Sequence, residues 1–161
     1  MEVSRNTLGR LASLIRDRMH PSMSREATPL RIIVVEDSPI ALGAICSYLR
    51  SLPGIQVAGA ARRAWQGLVL VEELEPDVVL LDIHLPDMSG VDALSILTRE
   101  FPGLQVIMVS VHDSPEVQQA CRQRGAHGFV SKRQLFEHLR PAMEALQHGS
   151  KPSLREVRTA G

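Results

Sequence analysis

The segment over residues 78–90 constrains the fold of this chain more than any other. Its first four residues, Val-Val-Leu-Leu, form an apolar run that is typical of a strand buried on both faces. The run ends in Asp82, and the Pro-Asp-Met-Ser-Gly sequence that follows predicts a turn. Open α/β sheets bind their ligands at the carboxyl ends of such strands. The segment therefore predicts a ligand site at Asp82; the alternative is that Asp82 only caps the next helix.

Four other strand-like runs alternate with helical patterns along the chain. The predicted strands cover residues 31–35, 55–60, 78–82, 104–109 and 126–130. Each is followed by apolar residues at helical spacing, and the last helical pattern runs to Gln147 with Pro141 inside it, where we expect a kink or a restart. Five strands and five helices in this order predict an α/β fold of a single domain, with a doubly wound, flavodoxin-like parallel sheet.

The two ends of the chain lie outside this alternating pattern. We expect residues 1–29 to be an N-terminal extension, residues 30–149 to be the folded domain and residues 150–161 to be a disordered tail. Apolar residues over 8–15 recur at helical spacing among arginines, so a short basic amphipathic helix is the alternative to a frayed segment. Met23 is an alternative start to Met1.

Composition limits the classes of function. The 18 basic and 18 acidic residues give no net charge, which argues against a mainly electrostatic nucleic-acid binder. Cys46 and Cys121 lie in apolar helical patterns without zinc-site spacing, so we expect buried, reduced thiols. The sequence contains no apolar run long enough to span a membrane and no secretory signal, so the expected location is the cytoplasm.

Polar residues follow the ends of four predicted strands, where parallel strands share one edge of the sheet. They are Glu36 and Asp37, Asp82, Ser110, and Lys132. Three carboxylates repel one another unless a cation such as Mg²⁺ lies among them. A hydroxyl and an ammonium group beside them are suited to the oxygens of a phosphoryl group. Taken singly, the two acids after the first strand have the alternative of being turn acids, the serine that of a loop hydroxyl and the lysine that of a solvated charge. Together with Asp82 they predict phosphoryl transfer to a carboxylate.

Four segments, VVEDSP, LLDIHLPDMSG, VIMVSVHDSPE and GAHGFVSK, together resemble the receiver domain of bacterial two-component response regulators. The resemblance covers about residues 31–149. It implies that Asp82 accepts a phosphoryl group from a histidine kinase or a phosphotransfer protein. It also implies that Mg²⁺ is the cofactor, with Glu36, Asp37, Asp82 and the backbone carbonyl of His84 as its ligands.

The same resemblance assigns a switch to the last two strands. It implies that Ser110 and Lys132 contact the phosphoryl group, and that Phe129 turns inward when Ser110 moves toward it. His84 and His112 each lie two positions past a residue of the site. We expect both imidazoles to border the phosphoryl site and to tune its lifetime, either by shielding it or by positioning a water molecule; the alternative is that both are exposed bystanders.

Three further segments, PGIQVAGAA, EPDVVLLDI and VSVHDSPEV, resemble the receivers of LuxR-type regulators. Those receivers continue into a DNA-binding domain, whereas about a dozen residues follow Gly149 here. We therefore expect a stand-alone receiver that signals through a protein contact at the face of the fourth helix, the last strand and the last helix. We expect no direct DNA binding, no membrane span and no enzymatic activity; a homodimer is compatible with the sequence.

Two other functions compete with this interpretation. A truncated or degenerate LuxR-type regulator would act only as a binding module, but the loss of an acid or of the lysine expected in a degenerate receiver is not seen. An aspartyl-phosphate hydrolase of the haloacid dehalogenase type requires a second aspartate two residues after the nucleophile. His84 occupies that position.

Overall fold

The computed structural model describes residues 28–149, and its centre is a sheet of five parallel strands. The strands are β1 (Leu30–Val35), β2 (Ile55–Ala61), β3 (Val78–Asp82), β4 (Gln105–Ser110) and β5 (Gly128–Ser131). Their order in the sheet is β2-β1-β3-β4-β5, and every neighbouring pair is parallel. The chain reverses its direction of winding between β1 and β3, which is the point where doubly wound sheets bind ligands.

Five helices cover the two faces of the sheet. They are α1 (Pro39–Ser51), α2 (Ala64–Leu74), α3 (Gly90–Glu100), α4 (Pro115–Gln123) and α5 (Leu135–Gln147), with a 3₁₀ turn (Lys132–Gln134) before α5. The hydroxyls of Ser38, Ser89 and Ser114 accept hydrogen bonds from backbone N–H groups at the starts of α1, α3 and α4. These serines satisfy donors that the first turn of a helix leaves unpaired.

Two apolar clusters lie on opposite faces of the sheet because successive strand residues point in opposite directions. Ile32 and Leu80 pack with α1 and α5 on one face, whereas Ile33 and Leu81 pack with α2, α3 and α4 on the other. All five residues of β3 are buried, which explains its continuous apolar run. Cysteines lie in both clusters as buried free thiols, as predicted from the sequence. The predicted fold class is confirmed.

Two local expectations need correction. The last strand begins at Gly128 and not at residue 126, since the backbone N–H of Ala126 still bonds to the carbonyl of Cys121 in α4. The predicted restart at Pro141 is wrong, because α5 begins at Leu135 and continues through the proline. Leu139 and other buried residues of α5 pack against the sheet on both sides of Pro141. This packing outweighs the missing N–H of the proline.

The predicted tail over 150–161 and all but the last two residues of the predicted extension over 1–29 lie outside the described residues. None of the helices within residues 28–149 has the length and apolar character needed to cross a membrane.

Candidate functional site

Three carboxylates from two paired strands meet at the carboxyl edge of the sheet. Glu36 and Asp37 follow β1 directly, and Asp82 is the last residue of β3. One oxygen from each carboxylate lies within 4.8 Å of the others. Glu36 and Asp82 are buried while Asp37 is exposed, so solvent reaches the cluster from the Asp37 side.

Lys132 reaches this acidic cluster from the end of β5. Its Nζ donates a hydrogen bond of 2.9 Å to Asp82 Oδ2 and lies 2.7 Å from Glu36 Oε2. Burial raises the pKa of Glu36, and the charge of Asp82 adds to this increase, whereas Lys132 opposes it. Burial would lower the pKa of Lys132, but its contacts with Glu36 and Asp82 outweigh this effect and raise that pKa. One ammonium group therefore offsets the charge of two buried acids.

The donor set of the acidic cluster fits Mg²⁺. This ion prefers hard oxygen ligands and retains several waters, so it binds through a few carboxylates on a site that is open to solvent. Glu36, Asp37 and Asp82 supply such oxygens, and the exposed side of Asp37 leaves room for waters. A cavity of about 410 Å³ lies on that side and is lined by Asp37, Arg62, Arg63, Gln66 and Pro86.

The loop over residues 83–89, between β3 and α3, is closely folded behind Asp82. The backbone N–H of His84 donates to Asp82 Oδ1 at 3.2 Å, and His84 forms an isolated antiparallel bridge with Ser89. The N–H of Gly90 donates to the Ile83 carbonyl at 2.7 Å. A Cβ at Gly90 would overlap the backbone of Asp82 and Ile83, so glycine is needed for this close approach.

Ser110 ends β4 next to the acidic edge and is completely buried. Its Oγ accepts a 3.0 Å hydrogen bond from the backbone N–H of His112. The rings of His84 and His112 pack edge to face, with their centroids 5.1 Å apart. The two histidines therefore lie together on adjacent loops at this edge of the sheet. Phe129 is part-buried in β5 and packs against the cluster on the α3 and α4 side.

Asp87 belongs to this part of the structure, although no pattern in the sequence assigns it a role. Its two carboxylate oxygens accept the backbone N–H groups of Ala64 and Trp65, each at 2.9 Å. Burial opposes the ionised form of Asp87, but the N–H donors of Trp65 and Ala64 outweigh it and lower the pKa. Arg63 precedes α2 and makes no side-chain cap. Two features of the sequence point to this contact: α2 has no capping residue before it, and the turn after β3 contains an acid with no other assigned role.

Acids, a buried hydroxyl and a lysine at the carboxyl edge of a doubly wound sheet are the arrangement of a receiver domain. The family model of the response regulator receiver domain matches residues 32–144, and the chain belongs to this family. Receiver domains bind Mg²⁺ at an acidic pocket and are phosphorylated by histidine kinases or phosphotransfer proteins. The acidic cluster described above provides such a pocket. The receiver domain itself is not catalytic.

Known relatives of the chain include proteins of different kinds. It is 32% identical to the transcriptional regulatory protein MctR of Rhizobium johnstonii over 124 residues, which cover 77% of this chain and 58% of MctR. It is 38% identical to a protein-glutamate methylesterase/protein-glutamine glutaminase of Koribacter versatilis over 109 residues, or 66% of this chain and 30% of the relative. The chain thus matches little more than half of the first relative and less than a third of the second.

A solved structure supports the same fold. The isolated REC domain of RcsB from Salmonella enterica serovar Typhimurium, determined in the presence of the phosphomimetic BeF₃⁻, superimposes with a TM-score of 0.72. The identity is 25%, and the superposition covers 76% of this chain and 91% of the RcsB chain.

Proposed function

We propose that this chain acts as a response regulator receiver that is switched by phosphorylation. In this proposal Asp82 accepts a phosphoryl group from a histidine kinase or phosphotransfer protein in a Mg²⁺-dependent reaction, and the protein signals through a phosphorylation-dependent contact with another protein. The observation that carries the proposal is the Lys132 ammonium, which bonds to Asp82 and contacts Glu36, the two buried acids of the acidic cluster. A buried strand end with these charges is suited to binding a phosphoryl group.

The side chain of Asp82 is already oriented for attack. The N–H of His84 holds one carboxylate oxygen and Lys132 holds the other. An Asp82 oxygen attacks phosphorus, an O–P bond forms, and the N–P bond of the donor phosphohistidine breaks with the electron pair leaving on the imidazole nitrogen. Mg²⁺ held by Glu36, Asp37, Asp82 and the His84 carbonyl would offset the negative charge of the phosphoryl oxygens.

Ser110 and Phe129 are proposed to carry the signal away from Asp82. β4 pairs with β5, with Ser110 opposite Ser131 and Met108 opposite Phe129. A phosphoryl oxygen would accept a hydrogen bond from the Ser110 hydroxyl and draw the loop after β4 toward Asp82. That movement would open space for Phe129 and shift the face formed by α4, β5 and α5. We propose this face as the output surface for the partner protein.

Replacing Asp37 with Ala tests the metal-binding role. We expect Mg²⁺ affinity to fall by at least about tenfold, because the change removes a hard ligand from the open side of the site. Isothermal titration calorimetry measures the affinity, and labelling with acetyl phosphate shows whether phosphorylation falls with it. Glu100→Ala removes an exposed acid at the far end of α3 and should leave both measurements unchanged. An unchanged Mg²⁺ titration for Asp37→Ala would exclude the proposed ligand.

His84 and His112 are proposed to shield the phosphoryl group. Because their rings pack against each other on adjacent loops, we expect a double alanine variant to admit water and to lose the phosphoryl group several-fold faster. The decay of labelled protein after removal of the phosphodonor gives the rate. His148→Ala, at the end of α5, is the matched control. Equal lifetimes would make the two histidines bystanders, and a longer lifetime would indicate that they position the attacking water.

A further inference from the structure

The loop over residues 83–89 is the acceptor loop of the site, and two sets of contacts hold it. At its base, the N–H of His84 bonds to Asp82 and His84 bridges Ser89. At its outer part, Asp87 bonds across to the start of α2 through the N–H groups of Ala64 and Trp65. The second set connects the acceptor loop to α2. Asp87 lies 23 residues after Ala64 and 22 residues after Trp65 in the sequence.

Helix α2 is a firm anchor for this contact. It lies so close to β1 that a Cβ at Gly67 would approach Val35 Cγ2 to 2.6 Å. Val35 immediately precedes Glu36, and Glu36 N–H bonds to the Ala61 carbonyl shortly before α2. The start of α2 is therefore fixed relative to the acids that follow β1.

Asp87 makes two short hydrogen bonds to the first N–H groups of α2. Each carboxylate oxygen takes one N–H group at 2.9 Å, and the negative charge lies at the positive end of the helix. The helix has no side-chain cap of its own, since Arg63 occupies the capping position. Asp87 thus supplies the cap from outside the helix while it restrains the acceptor loop.

We propose that Asp87 is a positioning residue that holds the acceptor loop, and with it His84, at the distance from Glu36 and Asp37 that metal binding and phosphoryl transfer require. This inference rests on the proposed function. The competing explanation is that Asp87 only caps α2. The two explanations predict different Mg²⁺ affinities and labelling rates for a variant in which α2 has a cap of its own but the acceptor loop has lost its bond to α2.

Arg63→Ser provides that separate cap. Arg63 has the extended backbone of an N-cap residue, with φ −137° and ψ 146°, and a serine there places its hydroxyl near the first N–H groups of the helix. Four variants are compared with the wild type: Asp87→Ala, Asp87→Asn, Arg63→Ser, and the double variant of Arg63→Ser with Asp87→Ala. Thermal unfolding measures the stability that the helix cap contributes. Calorimetric Mg²⁺ titration and the rate of labelling by acetyl phosphate measure whether the acceptor loop is correctly positioned.

We expect Asp87→Ala to lower Tm by about 4 °C, as loss of a cap does in a domain of this size. We also expect it to weaken Mg²⁺ binding several-fold, because the released loop no longer holds the His84 carbonyl in place; about tenfold is the smallest loss usually seen when a direct outer partner of a metal ligand is removed. Arg63→Ser alone gives the baseline for the double variant, because Arg63 also lines the cavity beside Asp37. The double variant should regain Tm but not Mg²⁺ affinity or labelling rate. Asp87→Asn keeps one acceptor oxygen and should give intermediate values.

The fluorescence of Trp65, the single tryptophan of the chain, gives a second readout that does not depend on stability. The backbone N–H of Trp65 bonds to Asp87, so Mg²⁺ with beryllofluoride should change the emission of Trp65 in the wild type and in Arg63→Ser. The change should be absent in the double variant. This comparison distinguishes a positioning role of Asp87 from a capping role even if Arg63→Ser does not restore Tm in the double variant.

The outcomes separate the two proposals. A double variant with wild-type Mg²⁺ affinity, labelling rate and emission change would overturn the positioning role and leave Asp87 as a helix cap. A wild-type protein that neither binds Mg²⁺ nor becomes labelled would instead overturn the proposed function, whatever Asp87 does. Wild-type activity that falls with Asp87→Ala and stays low in the double variant supports both.

Discussion

Asp82→Asn is expected to abolish phosphoryl labelling of this protein by acetyl phosphate in the presence of Mg²⁺. The substitution keeps the size of the side chain and an oxygen that can accept the hydrogen bond from Lys132. It removes the negative charge and the nucleophilic carboxylate oxygen, so the O–P bond cannot form. Intact-mass spectrometry detects the label directly.

Asp77→Asn is the matched control for this experiment. Asp77 precedes the same strand at its other end, where its carboxylate accepts the N–H of Arg31 at 2.8 Å. The same chemical change there should leave labelling intact. Label that persists in Asp82→Asn would show that another residue is the acceptor, and loss of label in both variants would point to a general loss of structure.

Lys132→Met is expected to lower the free energy of unfolding by about 3 kcal/mol in Mg²⁺-free solution at neutral pH. The side chains of Glu36 and Asp82 are only 2% and 3% exposed, so loss of the ammonium leaves two carboxylates buried beside each other without a cation. Mg²⁺ should restore much of this loss, because it binds the folded state and replaces the missing positive charge. Urea unfolding with and without Mg²⁺ measures both effects.

The effect of Lys132→Met should depend on pH through Glu36. Burial raises the pKa of Glu36 in the folded state, so the folded state holds this proton more tightly than the unfolded state. Stability therefore falls as pH rises from 4.5, the ordinary value, through the raised pKa. Removing Lys132 raises that pKa further, so the deficit of the variant should be largest at neutral pH and shrink toward pH 4.5.

Arg133→Met is the control, since it removes an exposed cation from the next position and should change stability by no more than about 0.5 kcal/mol. Lys132→Met with wild-type stability in the absence of Mg²⁺, or with a loss that Mg²⁺ does not reduce, would contradict the role of Lys132 as the cation of the acidic cluster.

Much of the candidate site was accessible from the sequence because its residues follow strands. An apolar run such as that before Asp82 is a local pattern, and the alternation of such runs with helices implies a parallel sheet. Parallel strands place their carboxyl ends together, so the sequence alone predicts Glu36, Asp37 and Lys132 at the same edge of the sheet. In the structure, oxygens of Glu36, Asp37 and Asp82 lie within 4.8 Å of one another, and Lys132 contacts two of these acids.

Other features depend on contacts between distant segments and had no comparable local pattern. Local rules predicted a kink or a restart of the helix at Pro141, but packing of α5 on the sheet carries the helix through that residue. Lys132 Nζ contacts acids that follow two different strands, and these contacts depend on how far the lysine side chain extends across the folded sheet. The bond from Asp87 to the start of α2 joins two turns that neither periodicity nor spacing relates.

The sequence by itself determined which residues end the strands, and hence the fold class and the members of the acidic edge. Only the tertiary structure decided how those members pair and which loop is tied to which helix. The physical reason is range: hydrophobic periodicity and capping act within a few residues of one another. Ion pairs and caps supplied from outside a helix depend on distances that exist only after the sheet and helices have packed.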